Sequence, residues 1–373
     1  MKRIFLSTTA LHCFPGNADF GLLHNYFKEN GWTISRKIES ADIVIIYACA
    51  SRKLKEDESI ESIEEALKKT SKEAKVIVAG CLPVINKTRL NKIFQGITVS
   101  ANSLQDLDQL FNSKAKIREI NYVGQGHKKA KNNELIYPLR IGWGCRGKCS
   151  YCAVRFVFGK PHSRPISDII QEFNAAYNKG YRRFTLVAND AGYFGQDSGT
   201  SLPALLRKLC QIKKESRFAL SHMTPDRLKA LLPSLKAFIR SGKISAIKIP
   251  VESGSDRILQ LMNRYYTVSD FRYCVQKLIE YNPKLEIYTN IIVGFPTETE
   301  DDFQETIKLV GSFGRHITYF HCPPYSNRPN TPASKMSGQI DRKTIEDRLR
   351  RLNNLCRFNQ WYKNLKACSD KTI

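Results

Sequence analysis

"GWGCRGKCSYC", residues 142–152, holds Cys145, Cys149 and Cys152 at the spacing C-x-x-x-C-x-x-C. A structural zinc site closes a tetrahedron with four nitrogen or sulfur ligands, and this stretch stops at three. His162 is the nearby imidazole that could complete zinc. The other reading is a cubane iron–sulfur cluster whose fourth iron stays open to a small molecule. The run "LRIGWGC", from Leu139, has strand character and places the thiols at a strand's carboxyl end. Barrel enzymes keep their active sites on that face. Tyr151, just before the last cysteine, could pack against an adenine.

Downstream, "RRFTLVAND", "RFALSHM", "SAIKIPVES", "LEIYTNIIVGFP" and "HITYFHCP" are further strand runs. Helical stretches such as "SDIIQEFNAAYNKG" and "VSDFRYCVQKLIEYN" separate them. Repeated βα units with one-handed crossovers curl into a barrel. Six units predict a partial (β/α)6 barrel over residues 139–340, with a basic amphipathic helix in 341–373. Asn189 and Asp190 end a strand on the active face, where ligand contact and turn formation are both open. His222 ends another and is a weaker site candidate. "TETEDD" in "GFPTETEDDF" reads as the cap of the following helix.

Upstream, residues 1–120 alternate β and α signals, which predicts a small parallel sheet covered on both faces. Cys49 closes the strand "DIVIIYAC", Cys81 closes "KVIVAGC", and Cys13 lies in the loop after "RIFLSTT". Ligand sites in such sheets gather at the strands' carboxyl ends. These three cysteines should therefore meet at one edge and hold a metal or cluster. The acidic run "EDESIESIEEALKK" reads as the solvated face of a helix. Polar, lysine-rich residues 121–138 read as a linker.

The eleven cysteines are an odd number, and no export signal precedes them, which argues against a secreted disulfide framework. No apolar run reaches the ~18 residues of a membrane span, and the expected compartment is the cytoplasm. Residues 1–120 carry 18 Lys and Arg against 14 Asp and Glu, so +20 of the net +24 falls on the remainder. Such an excess favours a polyanion, RNA above all. Lys128, Lys129 and Lys131 in the linker, and Arg348, Arg350, Arg351 and Arg357 on the last helix, are the candidate phosphate contacts.

The cysteine stretch resembles the radical S-adenosylmethionine (AdoMet) superfamily, which shares the spacing and the aromatic residue before the last cysteine. "GCRGKCSYCAVRFVFGKPHSRP", "IPVESGSDRILQLMNRYYTVSDF", "NIIVGFPTETEDDFQETI" and "RPNTPASKM" look like the methylthiotransferases within it. "ADIVIIYACAS" and "VIVAGC" look like that family's amino-terminal domain. The resemblance spans roughly residues 1–355. "CSYCAVRF" and "SRPI" are most similar to the branch acting on threonylcarbamoyl-adenosine in tRNA.

What the resemblance implies is specific. Cys145, Cys149 and Cys152 would hold a 4Fe–4S cluster whose free iron chelates AdoMet, and one electron would cleave AdoMet to a 5′-deoxyadenosyl radical. Cys13, Cys49 and Cys81 would hold a second 4Fe–4S cluster that delivers sulfur, and a second AdoMet would supply the methyl group. Tyr151, Asn189, Asp190, Glu252, Ser253 and Asn290 fall where AdoMet contacts are expected. No side-chain acid or base is implied. An external one-electron reductant such as flavodoxin or ferredoxin, and a monomer, complete the expectation.

The sequence departs from the family pattern at His12 before Cys13, at Tyr47-Ala48 before Cys49, at Glu252 in place of Gln and at Asn290 in place of Asp. The family's carboxyl-terminal RNA-binding barrel is also expected to be missing. Two substrate classes follow: a hypermodified tRNA adenosine near the anticodon, or a peptide, protein side chain or small natural product. A non-catalytic iron–sulfur protein is the remote third reading.

Overall fold

Short β-branched runs alternate with amphipathic helices, and the computed structural model shows them as parallel sheets with helical crossovers. It describes residues 2–10, 13–120 and 135–369, with side chains left aside for residue 14 and 358–369. His12, Lys128, Lys129, Lys131 and most of the expected linker lie outside the described residues. The chain folds as two compact units. One is Met1–Cys145 with Cys152–Val187 and Asn327–Asn330, and the other is Arg146–Tyr151 with Ala188–Ser326 and Thr331–Ile373.

In the first unit, strands β1 (Arg3–Thr8), β2 (Thr33–Ile34), β3 (Ile43–Ala48), β4 (Lys75–Gly80) and β5 (Ile97–Ser100) form a sheet in the order β2-β1-β3-β4-β5. All of its pairings are parallel. Helices α1 (Phe14–Glu29), α2 (Lys53–Lys69), α3 (Leu82–Ile85) and α4 (Lys87–Leu90) connect the strands, and α5 (Asp106–Leu110) follows the last of them. Every residue of β3 is buried, as expected of a central strand covered on both faces. The sequence pattern misses only β2, whose two residues are too few to show a period. The strand order reverses between β1 and β3, and this switch point is where open α/β sheets bind their ligands.

Register brings the cysteines there. Thr8 pairs with Tyr47 and Ala48 with Gly80, so the three strands end at one level. The Cys81 amide donates to the Ala48 carbonyl at 2.9 Å. Gly80 takes φ +105°, and a Cβ there would lie 2.6 Å from that same carbonyl oxygen. Only glycine lets β4 approach β3 this closely just before Cys81.

The first unit also holds β6 (Ile136–Arg140), paired in parallel with β9 (Arg183–Val187). Between them come an antiparallel pair, β7 (Gly142–Trp143) with β8 (His162–Ser163), and helices α6 (Val154–Phe158) and α7 (Ile166–Asn178). The strand expected from Leu139 starts at Ile136 and includes Pro138. Among the described residues β6 pairs only with β9, and an edge strand tolerates a residue that cannot donate.

The second unit carries α8 (Leu202–Ile212), β10 (Arg217–Leu220), α9 (Pro225–Arg240), β11 (Ile244–Lys248), α10 (Asp256–Leu261), α11 (Val268–Tyr281), β12 (Glu286–Asn290), α12 (Glu300–Phe313), β13 (Tyr319–His321) and α13 (Arg342–Ser369). Strands β10 to β13 pair in parallel in chain order. Along β12, Ile287 and Thr289 are buried while Glu286, Tyr288 and Asn290 are half-buried. One face therefore packs and the other stays available. The expected cap before α12 is present: Thr299 and Asp302 exchange side-chain and backbone bonds in a capping box.

Replacing Gly80 with Ala should cost about 1–3 kcal/mol, because the new methyl meets main chain that cannot move without breaking the sheet. Chemical denaturation checks this against Gly31→Ala, where φ is also positive but no atom lies within 4 Å. The Gly80 variant should be the weaker of the two.

Candidate active site

Cys13, Cys49 and Cys81 converge at the carboxyl ends of β1, β3 and β4. Burial raises the Cys13 thiol to about 11, and the charge of Cys49 adds to this. Cys81 is pushed well above its ordinary value by burial, then by Cys49 and Cys13. The three sulfurs are therefore near enough to act on one another. Among the described residues no three His, Cys, Asp or Glu side chains close on one point as they would around a single ion. A cubane does not require that, since each thiolate ligates a different iron. Three thiols that are buried or half-buried, and whose thiolate forms repel one another, are a donor set that a cationic cluster relieves.

Main-chain and hydroxyl bonds hold the loops that carry them. Thr9 Oγ1 accepts from the Cys49 amide at 3.1 Å and lies 2.6 Å from Ser59 Oγ. Ser59 Oγ also lies 2.8 Å from the Cys49 carbonyl oxygen. Arg140, fully buried on β6, donates to the Pro15 carbonyl at 2.7 Å and pairs with buried Asp19. Asp19 in turn accepts from the Tyr47 hydroxyl at 2.7 Å.

Glu56 corrects the expectation of a wholly solvated acidic run. It is buried and accepts from Arg328, from Arg89 Nη1 at 2.6 Å and from Asn86 Nδ2 at 3.1 Å. Sequence reading missed Arg140, Asp19, Glu56 and Arg328. An arginine inside the strand "IYPLR" was the available signal for the first.

The C-x-x-x-C-x-x-C loop follows β7. The Cys145 amide donates to the Gly159 carbonyl at 3.1 Å, and Cys149 is buried. The Ser150 amide donates to the Met262 carbonyl at 3.0 Å, Ser150 Oγ to that of Leu261 at 2.8 Å, and Asn263 Nδ2 to that of Lys148 at 2.9 Å. The turn after α10 thus fixes the middle of the loop. His162 is exposed and stacks on Trp143 with centroids 4.9 Å apart.

In the second unit, Tyr151 and Glu252 meet through Arg264, another residue that sequence reading missed. Its guanidinium lies 5.7 Å from the Tyr151 ring centroid and bonds Glu252 Oε1 at 2.5 Å. Glu252 takes φ +69°, a strained conformation of the kind that clusters at functional sites. The Glu252 amide donates to the Asn290 carbonyl at 2.9 Å, so these two are neighbours. Asn290 Oδ1 is buried with no hydrogen-bond partner among the described residues, an acceptor suited to a donor on a bound molecule. Ser253 is buried and accepts from the Ser255 amide at 3.2 Å.

Asp190 Oδ1 accepts from the Gly192 amide at 2.9 Å and Oδ2 from Thr224 Oγ1 at 3.3 Å, which serves the turn after β9. Half-buried Asn189 precedes it. His222 is held neutral, its imidazole lowered to about 3 by burial and then by Lys248, Arg264 and His321. On α13, Arg348 is buried and bonds Glu298 Oε2 at 2.9 Å, so it is not the phosphate contact expected of it. Arg351 pairs with Glu300 at 2.5 Å, and exposed Arg350 with Asp347 at 2.5 Å.

A family model described as the radical SAM superfamily matches residues 139–310. One described as uncharacterized protein family UPF0004 matches residues 6–101. A probable threonylcarbamoyladenosine tRNA methylthiotransferase of Methanocaldococcus jannaschii is 33% identical over 95% of this chain and 83% of its own. The threonylcarbamoyladenosine tRNA methylthiotransferase of Homo sapiens is 29% identical over 93% of this chain and 62% of its own, so the chain spans about three-fifths of that relative. In fold, the chain is similar to the radical S-adenosylmethionine methyltransferase TsrM from Kitasatospora setae, solved with cobalamin and a 4Fe–4S cluster. The TM-score is 0.61 at 12% identity, over 89% of this chain and 77% of that one. The expected class, a small parallel sheet followed by a radical-AdoMet barrel, is borne out. Two 4Fe–4S clusters and AdoMet are the cofactors that these relationships imply.

The turn at Asp190 gives a pH prediction. Burial raises its carboxyl to about 7, against about 3.9 in an unfolded chain. Its contribution to stability is full below about pH 4 and is lost as pH rises through about 7. Asp190→Asn keeps the bond accepted from Gly192, can donate to Thr224 Oγ1 in place of accepting from it, and cannot ionise. Relative to that variant, the thermal midpoint of the wild type should fall between about pH 4 and 7 and level off above that.

Proposed function

The chain belongs to the methylthiotransferase family of radical AdoMet enzymes, and we propose from that premise that it inserts a methylthio group at an unactivated C–H of a threonylcarbamoyl-modified adenosine in tRNA. The observation that carries this reading is the gathering of Cys13, Cys49 and Cys81 at one sheet edge in a chain that also holds the C-x-x-x-C-x-x-C loop. Radical generation alone needs only the loop; a second set of three thiols is what a sulfur-delivering enzyme adds. The relatives described above are threonylcarbamoyladenosine tRNA methylthiotransferases, and they supply the substrate class.

When bound, the two clusters and AdoMet supply the electron, the adenosyl radical, the sulfur and the methyl group. The protein's part is to hold and orient them. Cys145, Cys149 and Cys152 are the proposed ligands of one cluster, and Cys13, Cys49 and Cys81 those of the other. Tyr151 offers an aromatic face to adenine, steadied by Arg264 and Glu252. Asn290 offers its buried acceptor at the end of β12, while Ser253 comes after β11 and Asn189 and Asp190 come after β9. His222, kept neutral, adds no charge there.

The proposed organisation is a cluster-bearing domain at 1–120, a linker at 121–138, the barrel at 139–340 and the basic helix at 341–373. The proposed setting is the cytoplasm, as a monomer served by a flavodoxin- or ferredoxin-type reductant. No helix among the described residues is long and apolar enough to cross a membrane.

Anaerobic reconstitution should give about eight iron and eight sulfide per chain. Changing Cys145, Cys149 and Cys152 to Ala should halve that content and abolish 5′-deoxyadenosine formation. Changing Cys13, Cys49 and Cys81 should halve it and leave 5′-deoxyadenosine formation largely intact. Full iron in the second variant would remove the sulfur-delivering cluster from the account.

Binding of tRNA should follow phosphate contacts. With ~6–10 of them, affinity falls on the order of 10³–10⁵ between roughly 50 and 200 mM salt. Removing the charges of Arg350 and Arg357 should make that slope shallower, whereas a slope unchanged by the substitutions argues against α13 as an RNA contact.

A further inference from the structure

Arg328 lies far along the chain from every cysteine strand, yet residues Asn327–Asn330 pack as part of the first unit. Its guanidinium is 1% exposed and pairs with Glu56, across 272 residues of sequence. Glu56 opens α2, the helix that follows the Cys49 loop. The same carboxylate accepts from Asn86, which caps α4 after the Cys81 turn, and from Arg89. Arg89 also pairs with Asp57, at 2.5 Å, so Glu56 and Asp57 together face Arg89 and Arg328, and Arg328 is the guanidinium that is almost wholly out of water. Ser59, about one turn beyond Glu56 on α2, lies 2.8 Å from the Cys49 carbonyl oxygen, which ties the end of the helix that holds Arg328 to the Cys49 loop, and Cys49 acts electrostatically on Arg328.

Resting on the reading of Cys13, Cys49 and Cys81 as holders of the second cluster, we propose that Arg328 is a positioning residue that sets that cluster's reduction potential, through its buried positive charge at the first turn of the helix that follows Cys49. Reduction of a 4Fe–4S cluster adds one electron and makes or breaks no bond. The reduced form carries one more negative charge beside three thiolates, and a fixed cation in a medium of low dielectric favours it. Charge and burial around a cluster are among the protein's principal means of adjusting potential. The placement of Arg328 also ties the segment "RPN" to the loops of Cys49 and Cys81.

The test uses the full chain carrying Cys145→Ala, Cys149→Ala and Cys152→Ala, so that only the second cluster remains. Iron and sulfide are counted after anaerobic reconstitution, and the potential is read by dithionite titration followed by electron paramagnetic resonance. Arg328→Gln should lower the midpoint potential, Arg328→Lys should hold it near the parent, and Glu56→Gln should raise it, each with about four iron retained. A potential that stays put in Arg328→Gln, or that shifts equally in the Gln and Lys variants, overturns the proposal. Loss of iron in the Gln and Lys variants alike also overturns it, since Arg328 would then be only a structural wedge. A parent variant without iron defeats the assignment of Cys13, Cys49 and Cys81 instead, a result distinct from any of these.

Discussion

The bond from the Cys81 amide to the Ala48 carbonyl, at 2.9 Å, is the contact on which the rest of the first unit depends. It holds β4 against β3 at the last residue of each, where Ala48 faces Gly80. One residue further on, both strands present a cysteine. The neighbouring register of β1 with β3 brings the loop of Cys13 to the same level. Parallel pairing has no other way to gather three thiols from positions 13, 49 and 81 than to end three adjacent strands together. The missing Cβ of Gly80 makes that close approach possible, and the hydroxyls of Thr9 and Ser59 hold the Cys49 backbone once the strands have ended.

Around this edge the protein places buried charge in matched pairs: Arg140 with Asp19, and Arg328 with Glu56. Such pairs contribute little net stability, because desolvation offsets most of their attraction, but losing one partner is costly. Their effect is to fix loops. Arg140 reaches from the strand before the C-x-x-x-C-x-x-C loop to α1, which begins just after Cys13. In the second unit the pair Arg264–Glu252 does the same for Tyr151, and Arg348–Glu298 anchors α13.

The cysteines were legible in the sequence because a rare residue type fell at the ends of β-branched runs, a coincidence that pattern alone exposes. The barrel strands were legible for the same reason, in spite of an early start at Ile136. Buried charges were harder. Glu56 was read as solvated, although it sits on the stripe Glu56, Ser59, Ile60, Ile63 and Ala66 that α2 buries. Arg348 was read as a phosphate contact, although it falls four residues before Leu352, which is fully buried. Helical spacing marked both as inward-facing. What the sequence could not show was the partner, since Arg328 lies 272 residues from Glu56 and Glu298 lies 50 residues from Arg348. Asn290 and Arg264 show a related limit, because their proximity to Glu252 comes from strand crossovers with no local period.

The central claim is methylthiolation of a threonylcarbamoyl-adenosine in tRNA. It is tested most directly by incubating the reconstituted wild-type chain with AdoMet, sulfide, a reductant and tRNA carrying that nucleoside, and then measuring the digested nucleosides by mass spectrometry. The account predicts conversion of threonylcarbamoyl-adenosine to its methylthio derivative, with 5′-deoxyadenosine formed alongside, and no conversion in the Cys13, Cys49 and Cys81 variant. Formation of 5′-deoxyadenosine with the nucleoside unchanged would contradict it.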